Sequence, residues 1–471
     1  MDMPLVQAIL DYVKEDTARF HTPGHKGRDL FSNSGFKVGW TYDLTELRGT
    51  DNLQAPTGAI GEAQRLAARA FGSDVCFFLV NGTSSGVHIM MIYAVQPGQK
   101  VIVPRNCHKS VWDALILSGG LPVYIQPEYD KERAIYTQIS PDSVKRAIAK
   151  NQEAVAMVLT SPNYYGMVPH LEEICSILSR HGIISLVDEA HGGHFIFNSS
   201  LPPSAAKCGA DIWAQSAHKT LPSLTQASYL HASSSLMVDQ ERLAQVHGMM
   251  MTTSPSYLLM GSLDWARAYM EQKGEAEYDR LIGLIDKTRS KLKSLGIGTM
   301  DDYVRPEVAA IDATRLTLDL SQLGLTGFEG ERILRNRGVQ VEMSDFCRLV
   351  CVCTPADKDE DFARLVSACE SLRGHGTRRA ELRSKIHMSS QIPEQVLSPR
   401  EAFASKIDYI PLKMAPGRIC AGLVGAYPPG IPKYCYGELI DKAGIEELTV
   451  IKALGGHLFG VVDGDLIPVV K

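Results

Sequence analysis

Between Val75 and Gln215, short apolar runs alternate with amphipathic stretches, and the two periods predict strands and helices in turn. The apolar runs Val75–Val80, Lys100–Val103, Pro122–Ile125, Ala154–Leu159, Ile183–Val187 and Ile212–Gln215 read as buried strands. Helical spacing marks Ile60–Phe71, Val87–Val95, Ser110–Leu117, Ser140–Ala149 and Leu171–Ser179, and Gly82–Gly86 reads as a turn. Ahead of the series, Leu5, Ile9, Tyr12 and Val13 recur at helical spacing over Met1–Glu15, an amphipathic helix rather than a signal peptide. Strands alternating with helices predict an α/β fold, a mainly parallel sheet with helices on both faces. Ligands gather at the carboxyl ends of strands in such sheets, and the polar, chemistry-capable residues of this chain fall just after its strands.

The texture changes beyond Met260. Trp265–Leu295 is helical and charged, and Leu316–Leu320, Glu329–Asn336, Val339–Val341 and Leu349–Cys353 suggest a small α+β domain. Residues from Arg373 to Pro393 are polar, as a linker would be. The stiff run Tyr427-Pro428-Pro429-Gly430-Ile431-Pro432 suits neither a helix nor a central strand. The expected organisation is an N-terminal arm with a major domain over 1–270, a small α+β domain over 271–372, a linker over 373–393 and a C-terminal domain over 394–471.

Bulk properties narrow the function. The 471 residues suffice for two or three domains, and a net charge of -5 offers no basic field for nucleic acid. No apolar run is long enough to cross a membrane. The ten cysteines are scattered, many in apolar runs, which predicts reduced, buried thiols in a cytoplasmic protein. Cys351 and Cys353 share one face of a strand-like run, but a metal site would need further ligands at ordered spacing, and none is present.

The candidate chemistry centres on Ser216-Ala217-His218-Lys219, at the end of the last apolar run. Lysine just past a buried strand is either the start of a solvated loop or a chemically employed amine, as in a Schiff base with pyridoxal phosphate. Such an amine needs a phosphate cradle, and Asn81-Gly82-Thr83-Ser84-Ser85-Gly86 follows a strand and opens a helix. The alternative is a plain Ser/Gly-rich turn; the Gly-Lys-Ser/Thr ending of a nucleotide loop is missing. A pyridine nitrogen needs a carboxylate, and Asp188 follows the strand Ile183–Val187. A helix cap or surface charge is the competing role for Asp188. His191 and His194 lack the third anchored cluster of a metal site, and a supporting role toward Asp188 suits His191 better. His108, in Arg105-Asn106-Cys107-His108-Lys109-Ser110, offers a flat imidazole to stack on a ring, or else caps a helix. The turn His21-Thr22-Pro23-Gly24-His25-Lys26-Gly27 carries groups that could line a pocket or simply form a surface loop.

Together these stretches resemble the Orn/Lys/Arg decarboxylase family, pyridoxal phosphate enzymes of the aspartate aminotransferase fold (fold type I). The resemblance runs nearly end to end. It lies in His21-Thr22-Pro23-Gly24-His25-Lys26, Asn106-Cys107-His108-Lys109-Ser110, Asp188-Glu189-Ala190-His191-Gly192, Ser216-Ala217-His218-Lys219, Tyr427 to Pro432, and Gly437-Glu438. The chain is similar to the shorter form of the family, without an N-terminal wing domain. The resemblance implies that Lys219 carries the cofactor and that Asp188 pairs with its ring nitrogen. It further implies that Thr83, Ser84 and Ser216 hold the phosphate, that His108 stacks on the ring and His218 flanks it, and that Gly82, Ser85 and His191 are also cofactor-binding. Lys219, His218, Asp188 and His108 would be the catalytic set. The implied reaction is decarboxylation of a basic L-amino acid, with arginine the first choice, by a homodimer serving polyamine synthesis. The chain departs from the family at Asp51-Asn52-Leu53-Gln54, where Asp-Asp-Leu-His is usual. Two rivals remain: an aminotransferase, which would need a carboxylate clamp such as Arg348, and a non-catalytic regulatory homologue.

Overall fold

The alternating segment folds as its periodicity predicts, in a computed structural model that describes residues 1–15, 19, 21–23, 25–28, 39–375, 391–427, 431–453 and 456–471. In chain order the first elements are α1 (Pro4–Lys14), α2 (Ala59–Phe71), β1 (Val75–Leu79), α3 (Gly82–Ala94), β2 (Lys100–Pro104), α4 (Lys109–Ser118) and β3 (Leu121–Ile125). A short hairpin, β4 (Tyr129–Asp130) and β5 (Ile135–Tyr136), precedes α5 (Pro141–Lys150), β6 (Ala156–Thr160), β7 (Met167–Val168), α6 (Leu171–Arg180) and β8 (Ile184–Asp188). Then follow β9 (Ile212–Ser216), the single turn α7 (Ala217–Thr220), β10 (Ser228–Ala232), α8 (Gln240–Met250) and the long α9 (Tyr257–Ser294).

The chain divides into two compact units, Met1–Tyr93 with Leu186–Asp279 and Ala94–Ser185 with Arg280–Lys471. In the first unit, β8 and β9 run parallel, with Asp188 opposite Ala214. β10 then pairs antiparallel with both β9 and β1, placing Ser228 across from Ser216 on one side and Leu79 on the other. This antiparallel strand is absent from the predicted series. Its residues Ser228-Tyr229-Leu230-His231-Ala232 are all buried, yet Ser228 and His231 interrupt the apolar run. The core behind these strands is aromatic: Phe71 meets Phe197, Tyr229 and His231, and His231 stacks on Trp213. Gly86 lets α3 approach the strands, because a Cβ there would lie 2.8 Å from Leu79 Cδ1 and 2.9 Å from Ala214 Cβ.

The predicted turn Gly82–Gly86 is instead the first turn of α3. Gly82, at φ +71°, adopts a conformation that other residues resist, and its N–H donates to Gln226 O. The helix therefore begins as soon as β1 ends. α2 is capped from a distance: the Asp51 carboxylate accepts from the backbone N–H groups of Asn52, Thr57, Gly58, Ile60 and Gly61. The loop that departs from the family pattern thus serves a structural end, and Gln54 Nε2 donates to Met251 O and Thr252 O.

In the second unit, β2 pairs parallel with β3 and β6. Beyond α9, β11 (Gly298–Thr299), β12 (Ala310–Ile311), β13 (Arg315–Asp319), α10 (Gly327–Asn336), β14 (Met343–Ser344), β15 (Arg348–Val352) and α11 (Asp359–Glu370) build the α+β part, with strand order β11-β13-β15-β14. The strand expected at Val339–Val341 forms at Met343–Ser344 instead, because the hairpin with β15 turns tightly at Asp345, whose N–H donates to Arg348 O. Of the expected linker, residues 376–390 lie outside the described residues, as do Gly24 and Pro428 to Gly430. The C-terminal part packs Leu412, Val424, Tyr434, Ile445 and Ile467 into one cluster with Phe346 and Cys347. All ten cysteines are free thiols, and burial pushes the Cys351 thiol up to about 12. No described helix is long and apolar enough to cross a membrane.

Candidate active site

Three strand ends of the first unit bring the predicted chemistry to one edge. β9 ends at Ser216 and passes into the turn that carries His218 and Lys219. β8 ends at the buried Asp188, whose Oδ1 accepts from Ala190 N at 3.1 Å. β1 ends at Leu79, two residues before Asn81 and α3.

A cluster of hydroxyls marks the start of α3. Thr83 Oγ1 lies 2.6 Å from Ser216 Oγ and 3.1 Å from Ser228 Oγ, all three being buried. The first N–H groups of a helix have no partner within it and carry partial positive charge. Hydroxyls and amides together form a donor set suited to a phosphate. Ser84 is exposed beside this set, while Ser85 is buried and turns its hydroxyl to Gly82 O at 2.7 Å. The donor set, a carboxylate at a neighbouring strand end and a lysine on the next turn fit pyridoxal phosphate. Ser228 had no signal in the sequence, because its strand was not recognised.

Lys219 is half-buried, and its Nζ lies 3.0 Å from Nε2 of the buried His191. The motif residue expected to support Asp188 is thus in contact with the lysine. His218 Nδ1 lies 3.1 Å from Ala227 O, so Nδ1 carries a hydrogen and Nε2 is the acceptor in the neutral ring. Burial pulls its pKa below the ordinary histidine value, the Ala227 bond opposes that, and the Lys219 charge adds to the lowering. His194 is fully buried and packs on Phe195 and Tyr278.

Glu189, beside Asp188, is a residue that sequence reasoning passed over. It is fully buried, with Oε1 accepting from Ala205 N and Oε2 from Gln215 Nε2, both at 2.7 Å. Burial pushes its carboxyl up to about 8, against the pull of those two bonds. Gln215 Oε1 in turn accepts from His231 Nε2 at 3.1 Å, and His231 Nδ1 accepts from Ser73 Oγ at 3.0 Å. Buried in full, His231 is held neutral, with its pKa lowered to about 3.

The second unit holds His108 and Arg348. His108 caps α4: its Nδ1 lies 3.3 Å from Ser110 N and 2.9 Å from Ser110 Oγ. It lines, with Asn106, Tyr136, Tyr165, Tyr436 and Glu447, a cavity of about 870 Å³. Arg348 is buried, donating to Asp345 Oδ2 at 3.2 Å and to the Arg133 carbonyl. Tyr165 donates to the same Asp345 oxygen at 2.7 Å. In the N-terminal turn, His25 lies 3.2 Å from Asp43 Oδ2 and packs on Trp40, and Lys26 donates to His21 O.

Residues 3–313 match the model of the Orn/Lys/Arg decarboxylase major domain, and residues 382–460 that of the Orn/Lys/Arg decarboxylase C-terminal domain. The chain is 37% identical over 457 residues to the arginine decarboxylase of Bacillus subtilis, covering 94% of this chain and 92% of that relative. It is 35% identical over 466 residues to the arginine decarboxylase of Bacillus anthracis, again covering 94% and 92%. The solved structure of Escherichia coli constitutive lysine decarboxylase aligns with a TM-score of 0.85 at 21% identity, over 100% of this chain and 82% of that one. This last likeness concerns the fold, and it bears out the fold type I architecture.

Proposed function

The chain belongs to the Orn/Lys/Arg decarboxylase family, and from that premise we propose that it decarboxylates L-arginine to agmatine and CO2 with pyridoxal phosphate as its cofactor. The observation that carries the reading is the convergence of Lys219, Asp188 and the Thr83–Ser216–Ser228 hydroxyls at the ends of paired strands. Arginine is favoured over lysine and ornithine by four relatives at 35–37% identity that are named arginine decarboxylases.

Pyridoxal phosphate, when bound, supplies an aldehyde that an amine can join and a ring that takes up the electron pair left by departing CO2. The chain's own residues then have separate tasks. Thr83, Ser84 and Ser216 hydroxyls, with the first N–H groups of α3 from Thr83 to Ser85, would bind the phosphate dianion. The Asp188 carboxylate holds a proton on the ring nitrogen, since the opposite charge favours the cationic form. Lys219 Nζ is the amine that binds the cofactor covalently between turnovers. His218, with Nδ1–H held by Ala227 O, presents Nε2 as a neutral base near the lysine. Arg348 is spent on Asp345 and the Arg133 carbonyl, which weighs against its use as the carboxylate clamp of an aminotransferase.

The reading extends to a cytoplasmic homodimer in polyamine synthesis. Ten free thiols support the reducing compartment, and closed two-fold symmetry is the commonest soluble assembly. The test is stoichiometric: arginine, lysine and ornithine are supplied separately with cofactor, and CO2, amine and keto acid are measured. Agmatine and CO2 in equal amounts from arginine are expected. Keto acid without CO2 would identify an aminotransferase instead, and a preference for lysine would displace arginine as the substrate.

A further inference from the structure

The contact between Lys219 and His191 joins two elements that follow neighbouring strands. His191 lies just past the end of β8, and Lys219 lies on the turn after the parallel partner β9. At 3.0 Å, a hydrogen on Nζ points to the Nε2 lone pair, and the neutral imidazole carries its own hydrogen at Nδ1. A lysine ammonium with an ordinary pKa of about 10.4 is almost wholly protonated near neutrality, and in that form has no lone pair with which to join a carbonyl. The proton has to leave Nζ before the amine can react, and it has to come back when the lysine is released.

We propose that His191 is a further catalytic residue, the proton partner of Lys219: its Nε2 takes a proton from Nζ as the lysine joins the cofactor aldehyde, and returns it on release. In the forward step one N–H bond of the ammonium breaks and one N–H bond forms at Nε2. The electron pair stays on Nζ and the positive charge passes to the imidazole; the freed amine then forms its bond to the aldehyde carbon, the carbonyl oxygen leaves as water, and on release water restores the carbonyl as Nε2 returns the proton. Histidine suits the task because its ordinary pKa lies near neutrality, so it can both accept and give up the proton.

The other titratable groups on the surrounding elements have engagements of their own. Asp188 accepts from Ala190 N, Glu189 from Ala205 N and Gln215, and His218 Nδ1 donates to Ala227 O. His194 packs on Tyr278, whose hydroxyl donates to Thr220 O at 2.9 Å. The inference rests on the reading of Lys219 as the cofactor lysine.

The test uses the full-length chain freed of cofactor with hydroxylamine. Pyridoxal phosphate is added between about pH 6.5 and 9.5, and the absorbance of the lysine-bound cofactor gives the association rate. His191→Gln keeps a hydrogen-bond acceptor but cannot hold the proton. The expected wild-type rate is nearly flat over this range, whereas the variant climbs about tenfold per pH unit and lags at least about tenfold at neutrality. His191→Gly provides a second reading, in which added imidazole should restore the neutral-pH rate. Coincident pH profiles for wild type and His191→Gln, both with wild-type melting curves, would overturn the proposal, as would failure of imidazole to rescue a folded His191→Gly. Borohydride reduction of the wild-type holoenzyme tests the underlying reading separately. A pyridoxyl group on another lysine would refute the role of Lys219 whatever the kinetics show.

Discussion

Arg105 donates from Nη1 to Glu438 Oε1 at 2.5 Å and from Nη2 to Oε2 at 3.3 Å, joining the end of β2 to the Gly437-Glu438 motif within the second unit. Both side chains are buried, Glu438 completely. The remaining valences are met as well: Arg105 donates to Lys433 O and Pro432 O and lies over the Tyr124 ring, and Glu438 accepts from Cys435 N. Burial pushes the Glu438 carboxyl up, and Arg105 pulls it back. Gly437 stands at φ +85°, where a Cβ would collide with the Leu397 carbonyl, so this turn requires glycine. Arg105 opens the segment that ends in His108, and the C-terminal motif therefore braces the run that presents the imidazole.

Removing one partner of such a pair leaves a charge buried without compensation. Glu438→Ala should cost on the order of 3–5 kcal/mol of stability, read by urea denaturation. Glu438→Gln keeps the acceptor but loses the charge, and should fall between that variant and the wild type. A loss below about 1 kcal/mol in Glu438→Ala would show that the pair contributes little.

Asp188→Asn should leave the cofactor bound while lowering turnover by about 10²-fold or more, since an amide cannot hold the ring nitrogen protonated. Cofactor content by absorbance and turnover by CO2 release are to be measured on the same preparation. Turnover close to wild type would remove Asp188 from the mechanism.

Glu189 predicts a pH dependence of stability. Its carboxyl titrates near 8 in the folded protein against an ordinary 4.5, so the folded state binds the proton more tightly. The stability it contributes is complete below pH 4.5 and is lost progressively as pH rises to about 8, at no more than ~1.4 kcal/mol per pH unit. Glu189→Gln keeps the acceptor for one donor and cannot ionise. Denaturation curves taken from pH 5 to 8 should therefore fall more steeply for the wild type than for the variant; parallel curves would contradict the raised pKa.

Gly86→Ala places a methyl group against Leu79 and Ala214 and should destabilise the protein by about 1–3 kcal/mol, because neither the helix nor the strand can retreat freely. The neighbouring Gly82 faces open space, but its φ of +71° makes Gly82→Ala costly for a different reason, backbone strain. Thermal melts of the two variants measure both losses. An unchanged melting curve for Gly86→Ala would mean that the packing at α3 is looser than the contact distances imply.

The chain itself placed Lys219, Asp188 and the Gly82 to Gly86 segment at the ends of strands. Each follows an apolar run whose period declares a strand, and a side chain placed just past a strand reaches the sheet edge in nearly any α/β arrangement. Periodicity also located α2, α4, α5 and α6 to within a residue or two, because helix formation answers to neighbours three and four positions away. Tertiary structure decided what periodicity cannot encode. Whether the polar-interrupted Ser228–Ala232 run becomes a strand depends on β1 and β9 lying ready to pair with both its edges, and that pairing alone brings Ser228 to Thr83. The partner of His191 followed from the parallel register of β8 and β9, and the hydrogen-bond donors to the buried Glu189 came from segments sixteen and twenty-six residues downstream. Strand register and burial are long-range quantities, set by how apolar faces close on one another, so the residues that depend on them acquire their chemistry only in the folded chain.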